Sequence, residues 1–253
     1  MPETILVDDA GPIATITLNR PDKRNPIGPG TCGELVAALA AIKASTVNRV
    51  VVLTGAGPVF SAGGDLSAMQ SQGTGPVATL PELLLAMHDL GKPIIAMVNG
   101  PALAGGLGLM VACDLVVAAD TAVFGTTEIS VGLWPMMITA EITRSVGRKK
   151  TLDMMLTGRK LDAQEALACG LVTRVVPAAS LAAETRALAE SLAEKSPAAI
   201  ALGLHAFYES QDMELEPALK HLQGQLGRVL ALEDAAEGIS AFLGKRKPVW
   251  KGK

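Results

Sequence analysis

Two glycine-rich turns are the segments of this chain best suited to chemistry. One reads Phe60-Ser61-Ala62-Gly63-Gly64-Asp65-Leu66, the other Asn99-Gly100-Pro101-Ala102-Leu103-Ala104-Gly105-Gly106-Leu107-Gly108. Both follow apolar runs of strand character. A turn that enters a helix exposes backbone N–H groups the helix cannot satisfy. The positive end of the helix dipole makes such donors receptive to an anionic oxygen. Glycine lets the backbone approach a ligand with no Cβ in the way. Two converging amides would form an oxyanion hole able to hold the oxygen of an enolate. Taken singly, each turn also looks like a plain chain reversal.

The other reactive side chains say less on their own. Glu128, read in isolation, is a solvated or paired carboxylate. Gly106-x-Gly108, with Glu128 about twenty positions on, imitates a dinucleotide fingerprint. Val111 stands where the third glycine belongs, however, and Asn99-Gly100-Pro101 separates strand from helix. His88, His205 and His221 have no ligand-forming neighbours, so no metal site is expected. Asp65 and Asp114 suit the bracing of turns, with Asp65 the candidate for a second carboxylate. Cys32, Cys113 and Cys169 are odd in number and far apart, which predicts reduced thiols in a cytoplasmic protein.

The surrounding pattern must position these turns. Ile5-Leu6-Val7 and residues 13–18 flank Gly11-Pro12 and predict a hairpin. Residues 19–30 read as loop, and Thr31-x-x-Glu34 has capping-box spacing for a helix to about residue 44. Residues 49–54, 93–98 and 115–119 are buried-strand runs alternating with helices at 80–90 and 103–113, which argues for an α/β body. After a strand at 172–176 the pattern turns helical: 181–194, 197–208, 213–232 and 234–243. Ser196-Pro197 is a strong helix start.

Bulk properties set outer limits. With 253 residues the chain can bury a substantial core in one large domain, or in one domain plus an appendage. It is 49% hydrophobic but only 3% aromatic, so small aliphatic side chains do the packing, with apolar surface left for a subunit interface. A net charge of −3 gives no general pull toward nucleic acid or an anionic membrane. The apolar stretch 93–119 is broken by Asn99, Gly100, Pro101 and Asp114, which argues against a membrane span. The first residues lack the basic start and apolar run of a signal peptide.

The order of motifs carries more than any one of them. Phe60 to Leu66, Pro93 to Gly106 and Cys113-Asp114-Leu115-Val116-Val117-Ala118-Ala119-Asp120 resemble the signature of the crotonase (enoyl-CoA hydratase/isomerase) family. Phe124 to Ile129, Gly132-Leu133-Trp134-Pro135, Leu156-Thr157-Gly158 and Ala241 to Arg246 extend the likeness along the whole chain. The resemblance implies an α/β spiral of ββα units over residues 1–195 and a helical oligomerisation region over 196–253. It implies a homotrimer or dimer of trimers, with no nucleic acid or membrane partner. It implies Gly64 and Gly105 as oxyanion donors and Glu128 as acid/base. Residues Ala62, Asp65, Leu66 and Ser67 would line the coenzyme A site, with Arg24 near the nucleotide end and Lys245 reaching the phosphates. Trp134 and Met136 would border the acyl pocket. No cofactor is implied, coenzyme A being part of the substrate.

Two departures bear on the reaction. Family hydratases carry two glutamates, and the position of the first falls here on Gly108. The glycine-rich turn that follows the proline in typical hydratases is Met136-Met137-Ile138-Thr139. Hydration uses two carboxylates most readily, whereas moving a double bond from C3 to C2 needs one base. The resemblance therefore favours an isomerase acting on an unsaturated acyl-CoA thioester. A hydratase, another reaction on the same scaffold, and a non-catalytic coenzyme A- or RNA-binding relative stay open.

Overall fold

The computed structural model describes residues 4–65 and 77–253. In chain order its strands are β1 (Ile5–Asp8), β2 (Ile13–Leu18), β3 (Val50–Gly55), β4 (Ile94–Val98), β5 (Ala102–Leu103), β6 (Leu115–Ala119), β7 (Val123–Gly125), β8 (Lys160–Asp162) and β9 (Arg174–Val176). Its helices are α1 (Pro29–Ala44), α2 (Leu80–His88), α3 (Gly105–Val111), α4 (Ile138–Thr157), α5 (Ala163–Ala168), α6 (Leu181–Ala193), α7 (Pro197–Ser210), α8 (Leu215–Leu230) and α9 (Glu233–Leu243).

A six-stranded sheet runs in the order β1-β2-β3-β4-β6-β9. Only the β1–β2 hairpin is antiparallel; every later pairing in it is parallel. Such a sheet must be covered on both faces, which is why β3 reads as an unbroken apolar run. Val51 and Leu53 enter the main core with α1, α2 and α3. Val50 and Val52 enter a smaller core against Leu181, Leu188 and Ala189 of α6. The stretch 93–119 is thus β4, β5, α3 and β6, and no helix among the described residues is long and apolar enough to cross a membrane.

Two helix starts differ from expectation. Helix α1 is capped by Gly28 with Pro29 at its first position, not by Thr31. Glu34 instead accepts from the Thr4 amide at 2.9 Å, the Thr4 hydroxyl at 2.7 Å and the Ile5 amide at 3.2 Å, tying β1 to α1. The tertiary demand of an edge strand outweighed the local cap. The capping box lies at α2, where Glu82 Oε2 accepts from the Thr79 amide at 2.6 Å and Thr79 Oγ1 accepts from the Glu82 amide at 3.4 Å. Ser196 does cap α7, accepting from Ala199 N at 3.1 Å, and its hydroxyl also donates to the buried Asp234 at 2.7 Å. Asp234 further accepts from the Lys251 amide at 2.7 Å, and Trp250 Nε1 donates to Glu194 O at 2.7 Å. The basic tail therefore lies along α6 and α9.

Candidate active site

Three short chain segments run side by side and set the geometry. Ser61 bridges Ala102, and Ala102 pairs with Phe124, both in parallel. Strands leaving one ladder in the same direction arrive at the same end. Three residues past Ser61 stands Gly64; three past Ala102 stands Gly105; four past Phe124 stands Glu128. The pairing register thus brings the Gly64 and Gly105 turns together and starts the segment leading to Glu128 from the same ladder.

The amides of Gly64 and Gly105 are both turned out of their own secondary structure. Ile27 N donates to Gly63 O at 2.7 Å and Asp65 N donates to Ile27 O at 3.0 Å. These bonds flank Gly64, so its own N–H faces the other way. Gly105 opens α3, where an amide has no intrahelical acceptor. Ala104 before it takes φ +50° and ψ −130°, anchored by its amide bond to Gly125 O at 2.8 Å. A left-handed alanine costs about 1–3 kcal/mol, and such strain gathers where a function needs it. Among the described residues neither amide meets an acceptor. A Cβ added to Gly105 would stand 3.6 Å from Gly64 N, so the two donors border one small space. Gly63, at φ +105°, keeps the turns in contact: a side chain there would come 2.6 Å from Ala104 Cβ.

Glu128 begins a 3-10 turn, Glu128–Val131, and its carbonyl accepts from Leu133 N at 3.0 Å. Its side chain is half-buried, and Oε2 is buried with no hydrogen-bond partner. Desolvation pushes the carboxyl above its ordinary range, partly offset by a bond from its own amide. A desolvated carboxylate is a stronger base than one in water, and a free oxygen is open to a substrate proton.

Position 108 is closed. Gly108 lies one turn along α3 from Gly105, and a Cβ built on it would overlap the Cγ2 methyl of Ile138 and stand 2.6 Å from Ile138 Cβ. Ile138 opens α4 and is 2% exposed. Asp65 is engaged elsewhere: Arg20 Nη1 donates to its carboxylate at 2.8 Å. This pair braces the Gly64 turn, the role expected of Asp65 from its type.

The remaining sequence-predicted residues divide. Arg24 is exposed beside the first turn, its carbonyl accepting from Ala62 N at 2.9 Å. Leu66 and Ser67 lie outside the described residues. Trp134 packs partly buried against the main core, while Met136 is 68% exposed. Lys245 is exposed after α9, and its neighbour Arg246 pairs with Glu237. Asn25 was missed. Buried in the segment read as loop, it donates from Nδ2 to Ala56 O at 2.9 Å and Val59 O at 2.8 Å, and its carbonyl accepts from Ser61 Oγ at 2.7 Å. It holds the first glycine turn in place, and nothing in local spacing distinguishes it from other loop asparagines.

Comparison with known proteins gives the family. Residues 8–253 match the model of the enoyl-CoA hydratase/isomerase family. Human enoyl-CoA hydratase domain-containing protein 3, a mitochondrial protein by name, is 37% identical over 94% of this chain and 80% of its own length. Its crystal structure superposes with a TM-score of 0.92 at 35% identity, covering 98% of this chain and all of that one. An enoyl-CoA hydratase from Mycobacterium smegmatis superposes at 0.91 with 33% identity, covering 98% and 99% of the two chains. The fold and the match along its length define a crotonase-fold acyl-CoA enzyme. The chain belongs to the enoyl-CoA hydratase/isomerase family.

Proposed function

We propose that this enzyme shifts the double bond of an unsaturated acyl-CoA thioester from C3 to C2. Glu128 removes a proton from C2, the charge moves onto the thioester oxygen between the Gly64 and Gly105 amides, and the same carboxyl returns the proton to C4. The observation that carries the reading is Ile138 filling the space beside Gly108, so no second carboxylate stands one turn from the oxyanion donors. Isomerisation conserves its atoms and needs no cofactor or bound water.

The names of the relatives favour a second reading, addition of water to a 2-enoyl thioester. One assay separates the two. Purified protein is given a 3-enoyl-CoA and a 2-enoyl-CoA in oxygen-labelled water. Isomerisation turns the first ester into the conjugated one with no label taken up. Consumption of the second ester into a labelled 3-hydroxyacyl product, with the first untouched, would refute it.

Assembly and location extend the proposal. Leu215, Leu219, Leu222, Leu226 and Leu230 form an exposed stripe along α8, suited to burial against another copy of the chain in a trimer or dimer of trimers. Light scattering at micromolar concentration tests this. The free, buried thiols of Cys32 and Cys113 suit the reducing cytoplasm.

A further inference from the structure

Ile138 occupies an unusual place. It is the first residue of α4, at the end of the loop that begins with Glu128, and its methyl group lies where a side chain on Gly108 would start. The loop is compact: Leu133 N bonds Glu128 O at 3.0 Å, Met136 N bonds Trp134 O at 2.8 Å and Thr139 N bonds Pro135 O at 3.2 Å. Thr139 Oγ1 also donates to Pro135 O at 2.6 Å and approaches Met155 Sδ at 3.6 Å, pinning the start of α4 against its second half beyond the break at Gly147. These bonds hold the backbone on either side of Ile138, and its side chain is buried in the main core at 2% exposure. What it presents to the helix that carries Gly105 is hydrocarbon.

Resting on the reaction proposed above, we infer that Ile138 is a specificity-determining residue. By sealing the face of α3 one turn beyond the oxyanion amides, it excludes the water that would otherwise add its oxygen to C3 and its proton to C2. The dienolate takes its proton back from Glu128, at C4 to give product or at C2 to regenerate substrate. The conjugated 2-enoyl ester so formed, with no water beside its C3, leaves unhydrated. Gly108 and Ile138 act as a pair: the glycine admits the isoleucine, and the isoleucine keeps out both water and any larger residue at 108. Neither member touches the proton being moved.

The test compares products, not rates alone. Wild type, Ile138→Ala, Gly108→Glu and the double variant Gly108→Glu/Ile138→Gly are each given the same enoyl-CoA esters in oxygen-labelled water. Ile138→Ala should raise the ratio of labelled 3-hydroxyacyl product to isomer about tenfold, the scale on which trimming a side chain alters selection. The double variant should hydrate at least about a hundredfold faster than Gly108→Glu alone, because only the double has room for the new carboxylate. Thermal melting of Gly108→Glu below that of the double variant would report the same clash independently of activity. An unchanged product ratio in Ile138→Ala overturns the inference, as does hydration by Gly108→Glu equal to that of the double variant. If the wild type hydrates and does not isomerise, the proposed reaction falls on that result alone. Hydration by wild type also overturns the exclusion of water by Ile138. Isomerisation by wild type with an unchanged product ratio in Ile138→Ala overturns that inference and leaves the proposed reaction standing.

Discussion

Two carboxyls in this molecule share one perturbation and differ in what meets them. Glu128 and Asp114 are both pushed above the ordinary carboxylate range, and in both the main cause is burial. Asp114 is answered on each oxygen: the Ile94 amide donates to Oδ2 at 2.6 Å, and the Tyr208 hydroxyl to Oδ1 at 2.6 Å. His88 stacks on that tyrosine with ring centroids 4.2 Å apart. Glu128 keeps one buried oxygen unanswered. Desolvation alone therefore does not mark a reactive group. A buried acid whose bonds are complete joins α7 to the sheet, whereas one left incomplete suits the proton transfer proposed for Glu128.

Removing the incomplete carboxylate should have the largest effect. Glu128→Gln should lower turnover by about a thousandfold while leaving affinity for a coenzyme A ester nearly intact. Activity surviving that change would dissolve the contrast with Asp114. Next comes Gly105→Ala, whose Cβ would intrude beside the Gly64 amide. Loss of oxyanion stabilisation on this scale costs about a hundredfold in kcat, seen by steady-state kinetics with little change in melting temperature. The pH profile sharpens the comparison further. The working base must be ionised, so kcat/KM should fall as pH drops through a midpoint above the ordinary glutamate range. Glu128→Gln should abolish that limb, and Asp114→Asn should leave it where it was. The smallest effect on catalysis belongs to Tyr208→Phe. It should cost about 1–3 kcal/mol of stability in denaturant titration, the price of a buried acceptor losing its donor, and alter turnover less than about twofold.

The regions differ as well in how legible they are. Helices α6, α7 and α9 fall within three residues of the ranges their apolar periodicity predicts, and Ser196 caps α7 as its type suggests. Their chemistry is local, and so is the signal. Asn25 and Arg20 are different. Each is an ordinary polar residue of a loop until the chain brings Ala56, Val59 and Asp65 against it. The Thr31-x-x-Glu34 spacing is a true local signal that a long-range partner overrode, since Glu34 serves the edge strand instead.

What the residues by themselves determined is the set of parts: strands that are apolar on both faces, helices with their caps, two glycine turns and the family likeness that picks out Glu128. Composition and spacing suffice for these because each is set within a few neighbours. Only the tertiary structure decided that Gly64 and Gly105 share one space, that Asp65 is engaged by Arg20, and that Ile138 stands where a side chain at 108 would begin. Those facts come from the parallel register linking Ser61, Ala102 and Phe124, and from the packing of α4 on α3. Hydrogen-bond register and steric exclusion act between segments tens of residues apart, where no local pattern records them.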